Sequence, residues 1–390
     1  MPVMSPPPGT DTVLLASNVD GRQIVSIHSK VTYQVSSNGT CRRADTQQPL
    51  LVPDSRAEGE QVRETDITPI KTGTDLIVLA TAQAPAANTR EMRVRIGVGR
   101  AQWEYCVVGD RRCLYGGPGT IAFSSPEPFE QMPLRYEHAY GGFDEGVTAP
   151  PIRTLPDAFK PHPGMYPRNP VGRGFVVHET SAIDGLLLPN IEHPQQRITP
   201  KTLVTGAPEN WWRQPVPWSC DWFDKTWYPR ITYFGGLPEH LPDDDSQVTE
   251  VRWGLVASGQ KARHARLRLE DAIDPRFTNA ASPALVLPFL RGDESVLLEG
   301  VTLTGRLAIR LPAERPRMFV RFEGRAHELT PIPHRILIST DEMGAYVVWQ
   351  GTWFTPRRLP DRFPRAGDDA RMELEGIEVF ADGKLVDPLV

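Results

Sequence analysis

Between Gly116 and Asp245 proline and glycine interrupt the chain so often that neither a long helix nor a long strand fits there. Gly-Gly-Pro-Gly, Pro-Glu-Pro, Pro-Pro and Asn-Pro-Val-Gly follow one another. Proline removes a backbone donor and fixes φ, while glycine loosens the backbone around it, so loops must dominate this section. The same stretch nevertheless carries Trp211, Trp212, Trp218, Trp222 and Trp227, five of the nine tryptophans, and that much apolar area does not suit a solvated linker. The expectation is irregular but packed backbone.

On both sides of this middle the residues alternate. Val25, Ile27, Val31, Tyr33 and Val35 share one parity in Ile24 to Val35, opposite Ser26, His28, Lys30, Thr32 and Gln34, which predicts a half-buried strand with His28 on its solvated face. Asp75 to Ala80 is a second candidate. Met92, Val94, Ile96 and Val98 alternate with Arg93, Arg95, Gly97 and Gly99, and Cys106 to Val108 makes a further short strand. Towards the carboxyl end Val301, Leu303, Leu307, Ile309 and Leu311 face one way, Met318, Val320 and Phe322 form another apolar parity, and Tyr346 to Trp349 is a short strand. Gly259 to Ile273 mixes helical and alternating signals and is the best place for a short helix.

These patterns predict a mainly β protein: a sheet-rich lobe over 10–125, an irregular Pro/Gly/Trp-rich connecting and packing region over 126–245, and a second sheet-rich lobe over 246–390. Whether the lobes share a core stays open. The composition, 39% hydrophobic and 23% charged, excludes global disorder, and a net charge of −5 argues against wrapping nucleic acid. No apolar run approaches the ~18 residues of a membrane helix, and the start, MPVMSPPPGTDTVLL, lacks a secretory pattern. A cytoplasmic protein without stable membrane insertion is the expectation, with Cys41, Cys106, Cys113 and Cys220 reduced and structural.

Little in the chain points to catalysis. Neither a dinucleotide-binding glycine fingerprint nor a P-loop occurs, Gly-x-Ser-x-Gly is missing, and Gly116-Gly117-Pro118-Gly119 reads as a sharp turn between extended segments. His138, His178 and His193 lie beside Glu137, Glu179 and Glu192, so a metal-assisted hydrolase is an alternative if three ligands converge. More distinctive is PLRYEHAYGG, where Arg135, Tyr136, Glu137 and Tyr140 precede paired glycines. With Asn169 and Arg173 it suggests a scaffold junction, a partner contact or a small-molecule site, an anion-binding loop being the competing role for the segment from Arg168 to Gly174. The five tryptophans allow internal packing, a protein interface, or a platform for sugar or another stacking ligand. Asp221 and Asp224 read as a cap and a solvated carboxylate rather than a glycosidase pair. No catalytic, cofactor-binding or metal residue is assigned, and no cofactor is expected.

Taken together, ETDITPIKTGTDLIVLATAQAP at 64–85, VVGDRR at 107–112, PLRYEHAYGG at 133–142, NPVGRGF at 169–175, LPNIEHP at 188–194 and LRGDESVLLEG at 290–300 make the chain resemble a bacterial family named domain of unknown function 2169. That family is associated with type VI secretion loci. The resemblance spans about residues 25 to 355 and implies an adaptor or chaperone that binds a secreted effector, with contact to spike or spike-tip proteins, and assists its loading. A structural component of the secretion assembly is the further alternative. The family-like positions are Asp66, Lys71, Asp75, Arg135, Glu137, Gly141, Gly142, Asn169, Gly172, Gly174, Asn190, Glu192, Gly292, Asp293 and Glu294, for which the resemblance implies a scaffold or interface role. Arg112-Cys113 and the stretches at 280–285 and 337–342 depart from the family pattern, so no particular effector is carried over.

Overall fold

The structure, a computed structural model, describes residues 12–19, 22–51, 54, 63–148, 162–234, 275–312, 314–354, 356, 377–381 and 384–386. The protein is mainly β, with short 3-10 turns between strands. The chain divides into two compact units that interleave in sequence. One comprises Met1–Ile77, Leu267–Glu294 and Arg310–Val390, the other Val78–Arg266 and Ser295–Ile309. The helical candidate at 259–273 lies outside the described residues.

The first unit is built on β1 (Thr12–Val19), β2 (Arg22–Val35), β3 (Cys41–Arg43) and β4 (Thr74–Leu79), which share a seven-stranded sheet with three later strands. In the second unit β5 (Thr81–Gln83) pairs with β10 (Gln131–Pro133), and β8 (Cys113–Tyr115) with β9 (Ile121–Phe123). Gly117 and Gly119, with φ of 116° and 74°, turn the β8–β9 hairpin, as the Gly-Gly-Pro-Gly segment predicts. A five-stranded sheet runs in the order β13 (Ile191–Glu192), β7 (Ala101–Val108), β6 (Glu91–Val98), β15 (Ser295–Glu299), β16 (Arg306–Arg310). Val94, Ile96 and Val98 are buried on one face of β6 while Arg93 and Arg95 are exposed on the other, matching the parity in the sequence. The short strands β11 (Tyr140–Gly141) and β12 (Arg173–Gly174) pair in parallel.

The first unit's sheet is completed by β14 (Val286–Leu287), β19 (Ile332–Ser339) and β20 (Gly344–Phe354), in the order β1-β2-β20-β19-β4-β14 with β3 on β2. Beside it β17 (Met318–Phe322), β18 (Arg325–Leu329), β21 (Ile377–Ala381) and β22 (Lys384–Val386) form a four-stranded antiparallel sheet. Met318, Val320 and Phe322 are buried on β17, in the parity read from the sequence.

Two strand expectations need correction. The run from Val301 to Leu311 is not one strand: Val301–Gly305 turns, β16 starts at Arg306, and Leu303 is 92% exposed. Gly305, at φ 77°, donates its N–H to Thr302 O, and this tight turn overrides the alternation. His28 is not solvated either. On the polar face of β2 Ser26, His28, Lys30 and Thr32 are as buried as the apolar face and only Gln34 is exposed, because Gln47 and the residues from Asp66 to Pro69 reach over it. Ser26 Oγ donates to Pro69 O, Thr68 N donates to His28 Nε2 at 3.2 Å, and Gln47 bonds both backbone groups of Thr32.

Candidate functional site

In the first unit the buried polar face of β2 continues into a network of charges. Asp66 accepts from Lys30 Nζ at 3.1 Å, Arg335 Nη1 at 2.8 Å and the Leu51 N–H at 2.8 Å. Asp75 pairs with Lys71 at 2.7 Å and takes the Ala280 N–H at 2.7 Å. Arg335 also donates to the carbonyls of Glu64 and Thr65. Burial opposes the charge on Arg335, but Asp66 and Asp75 outweigh it and hold its pKa above the ordinary value. His334 stands edge-on to His28 at 5.6 Å; burial, His28, Lys71 and Arg335 push its pKa well below the ordinary value, so it is neutral. Breaking any of these buried pairs would leave a charge without its counter-ion in the interior.

The second unit gathers the PLRYEHAYGG and NPVGRGF residues around two buried asparagines. Asn169 Nδ2 donates to the carbonyls of Tyr136 (2.8 Å) and Tyr140 (3.0 Å). Asn190 donates to Val108 O and Asp110, and its Oδ1 accepts from Arg173 Nη1 at 3.0 Å. Arg173 Nε reaches Glu137 O at 3.0 Å. Gly142, at φ 105°, lies so close to the 169–172 loop that a Cβ would stand 2.6 Å from Gly172 O. Glu192 is buried between Arg111 (2.8 Å) and Arg197 (3.2 Å) and accepts the Ile198 N–H. Tyr136 packs edge-on against Phe223 and Trp227, and Tyr140 against Tyr166. Arg135 is exposed.

The tryptophans divide by burial. Trp211, Trp222 and Trp227 are buried, Trp211 edge-on to Tyr228 at 5.0 Å. Trp218 is half-buried on Tyr105 and His193 and donates to Glu104 O at 2.8 Å. Trp212 packs partly on the core of the unit, with Arg213 4.8 Å from its ring centre. Arg168 lies 5.2 Å from the Trp211 ring and 5.9 Å from Tyr228, and donates to Gln214 O at 3.3 Å. Arg213 and Val216 are exposed and Trp212 is partly exposed, at and just after the Pro208–Arg213 3-10 turn. Asp293 and Glu294 belong to the first unit and serve a turn: Glu294 accepts the N–H groups of Arg291 and Gly292, and Asp293 pairs with Arg291.

The three candidate histidines have separate surroundings. His138 Nδ1 lies 3.3 Å from Asn190 Oδ1, and burial followed by Arg173 lowers its pKa. His178 is exposed, and His193 accepts the Gln195 N–H and stands edge-on to Trp218. Among the described residues no three His, Cys, Asp or Glu side chains are arranged to hold a metal ion. Cys106, Cys113 and Cys220 are buried thiols whose pKa burial raises, the opposite of an activated nucleophile. Asp221 is buried with Ser219 donating to it; burial, then Glu137, raises its pKa well above the usual carboxylate range. No described helix is long and apolar enough to cross a membrane.

Sequence reasoning did not find Lys30, Arg335, His334 or Arg111 as members of these networks. Their partners are far away in the chain, 269 residues for Arg335 and Asp66, and no local pattern marks them apart from the place of Arg111 in VVGDRR. Asp66, Lys71, Asp75 and Glu192 were visible as landmark residues, and each is buried in an ion pair.

No curated protein and no solved structure matches the chain. The model of a family described as "Uncharacterized protein conserved in bacteria (DUF2169)" matches residues 20–350. With most of its 390 residues inside that match, the chain belongs to this bacterial family.

Proposed function

We propose that the protein is a cytoplasmic adaptor or chaperone of type VI secretion, which binds an effector polypeptide and assists its loading onto the spike complex. The observation that carries this reading is the partly exposed Trp212 ring with the exposed Arg213 guanidinium over it, next in sequence to Trp211, which packs with Tyr228 against the Arg168 guanidinium. Tryptophan, tyrosine and arginine dominate the energetic centres of protein interfaces, because a large rigid ring or a planar cation gives much contact for little entropy. The motif residues support the reading in a second way. Asp66, Asn169, Asn190 and Glu192 are engaged in holding the fold, which leaves recognition to the surface. Binding of this kind needs no bond-making step and no nucleotide cycle; release follows from competing contacts as the spike assembles.

The test is affinity capture from the producing bacterium under conditions that preserve assemblies, with mass spectrometry of the bound proteins, beside deletion of the gene. Reproducible capture of an effector, and its reduced secretion in the deletion strain, is the expected outcome. Unchanged effector abundance, loading and secretion without the gene defeats the reading.

A further inference from the structure

The five-stranded sheet of the second unit ends at β16, and among the described residues no strand pairs with its outer edge. Gly300 N donates to Gly305 O at 2.8 Å across the β15–β16 turn, which sets Glu299 opposite Arg306. In antiparallel pairing the hydrogen-bonded and non-bonded pairs alternate, so Leu307 and Ile309 direct their backbone groups to β15, and Arg306 and Ala308 direct theirs outward. Leu307 and Ile309 are buried on the inner face, while Arg306 and Ala308 are exposed on the outer face.

Across the outer face runs a ladder of alternating charge. Glu104 on β7 accepts from Arg95 on β6 at 3.0 Å; Arg95 pairs with Glu299 on β15 at 3.5 Å; Glu299 meets Arg306 on β16 at 4.0 Å. Arg95 stands in direct register with both Glu104 and Glu299. The order is acid, base, acid, base, and the last guanidinium is 68% exposed. A further strand on β16 would place its own outer-face side chain beside Arg306, and the alternation calls for a carboxylate there. Its inner-face side chains would extend the apolar layer of Leu307 and Ile309, and Leu303, exposed at the tip of the same hairpin, adds apolar contact at that end.

We infer that β16 is a docking edge for an extended segment of a partner polypeptide, with acidic and apolar residues in alternation, added as a sixth strand. Main-chain hydrogen bonds supply the affinity, and the charge beside Arg306 sets the preference. This deepens the adaptor reading and rests on it for the source of the segment.

The probe is a fluorescein-labelled peptide, Ser-Val-Glu-Val-Glu-Val-Ser, with a lysine-for-glutamate counterpart, titrated against the full chain by fluorescence polarisation. The glutamate peptide binds and the lysine peptide does not. Ala308→Pro, which removes an outward N–H without touching a bond to β15, weakens binding by about tenfold or more. Arg306→Glu reverses the preference towards the lysine peptide. Absence of glutamate-peptide binding, or binding that survives both substitutions, overturns the proposal. If Ala308→Pro lowers the melting temperature, Arg306→Glu decides alone, and an unreversed preference overturns it. The two readings fail separately: an effector captured equally by wild type, Ala308→Pro and Arg306→Glu sinks the edge and spares the adaptor, whereas peptide binding by a chain that captures no effector sinks the adaptor.

Discussion

The Asp66 carboxylate joins Arg335, 269 residues away in sequence, to Lys30: one oxygen lies 2.8 Å from Nη1 of Arg335 and the other 3.1 Å from Nζ of Lys30. All three side chains are buried. Removing the anion leaves two buried cations without their carboxylate, a loss of about 3–5 kcal/mol for one broken buried pair. Asp66→Ala is therefore expected to lower the unfolding free energy in urea by that amount. A change below about 1 kcal/mol, the value of an exposed pair, contradicts the assignment.

His334 predicts the pH dependence. Burial, then His28, Lys71 and Arg335, keeps it neutral in the fold, whereas the unfolded imidazole takes up a proton near its ordinary pKa of 6.5. Below that pH the unfolded state binds more protons, so the stability is fully present above 6.5 and is lost as pH falls, by up to about 1.4 kcal/mol per pH unit from this group. In melting curves from pH 8 to pH 5, His334→Gln is expected to flatten the acid limb relative to wild type. Parallel limbs would show that His334 does not contribute.

Two tryptophans ten residues apart are expected to behave differently. Trp222 is buried, and Trp222→Ala should cost about 3–5 kcal/mol of stability. Trp212 is only partly buried, and Trp212→Ala should cost less stability and act mainly on partner capture. Thermal melts of both variants separate the two roles; equal losses would put both rings in the core.

Gly142 is expected to tolerate no side chain. Its φ of 105° and the closeness of Gly172 O make Gly142→Ala destabilising by about 1–3 kcal/mol from backbone strain, with the clash in addition. A melting temperature equal to wild type would contradict the close approach of the two loops.

The parts legible in the sequence are those governed by local chemistry. Parity gave the buried face of β6 and of β17, and the glycines of the 116–119 segment gave the β8–β9 turn. Where long-range packing decides, the reading failed. Ser26, His28 and Lys30 look like a wet strand face, yet Asp66, Thr68 and Pro69 arrive from a distant segment to satisfy them. Leu303 keeps the alternation but sits in a turn, because a hairpin needs Gly305 more than it needs the parity. The interleaving of the two units leaves no mark in composition, since pairing partners such as β6 and β15 lie some two hundred residues apart. The Trp-rich stretch was visible as packed, but its division into buried and half-exposed rings depends on neighbours such as Tyr166 and Tyr228.

The central claim, recognition of a polypeptide through the surface at Trp212 and Arg213, is tested most directly by capturing effector from native lysate with wild type and with the Trp212→Ala, Arg213→Glu double variant, after melting curves have shown that the variant is folded. Wild type is expected to retain an effector and the folded double variant to lose it. Equal retention by the two proteins would contradict it.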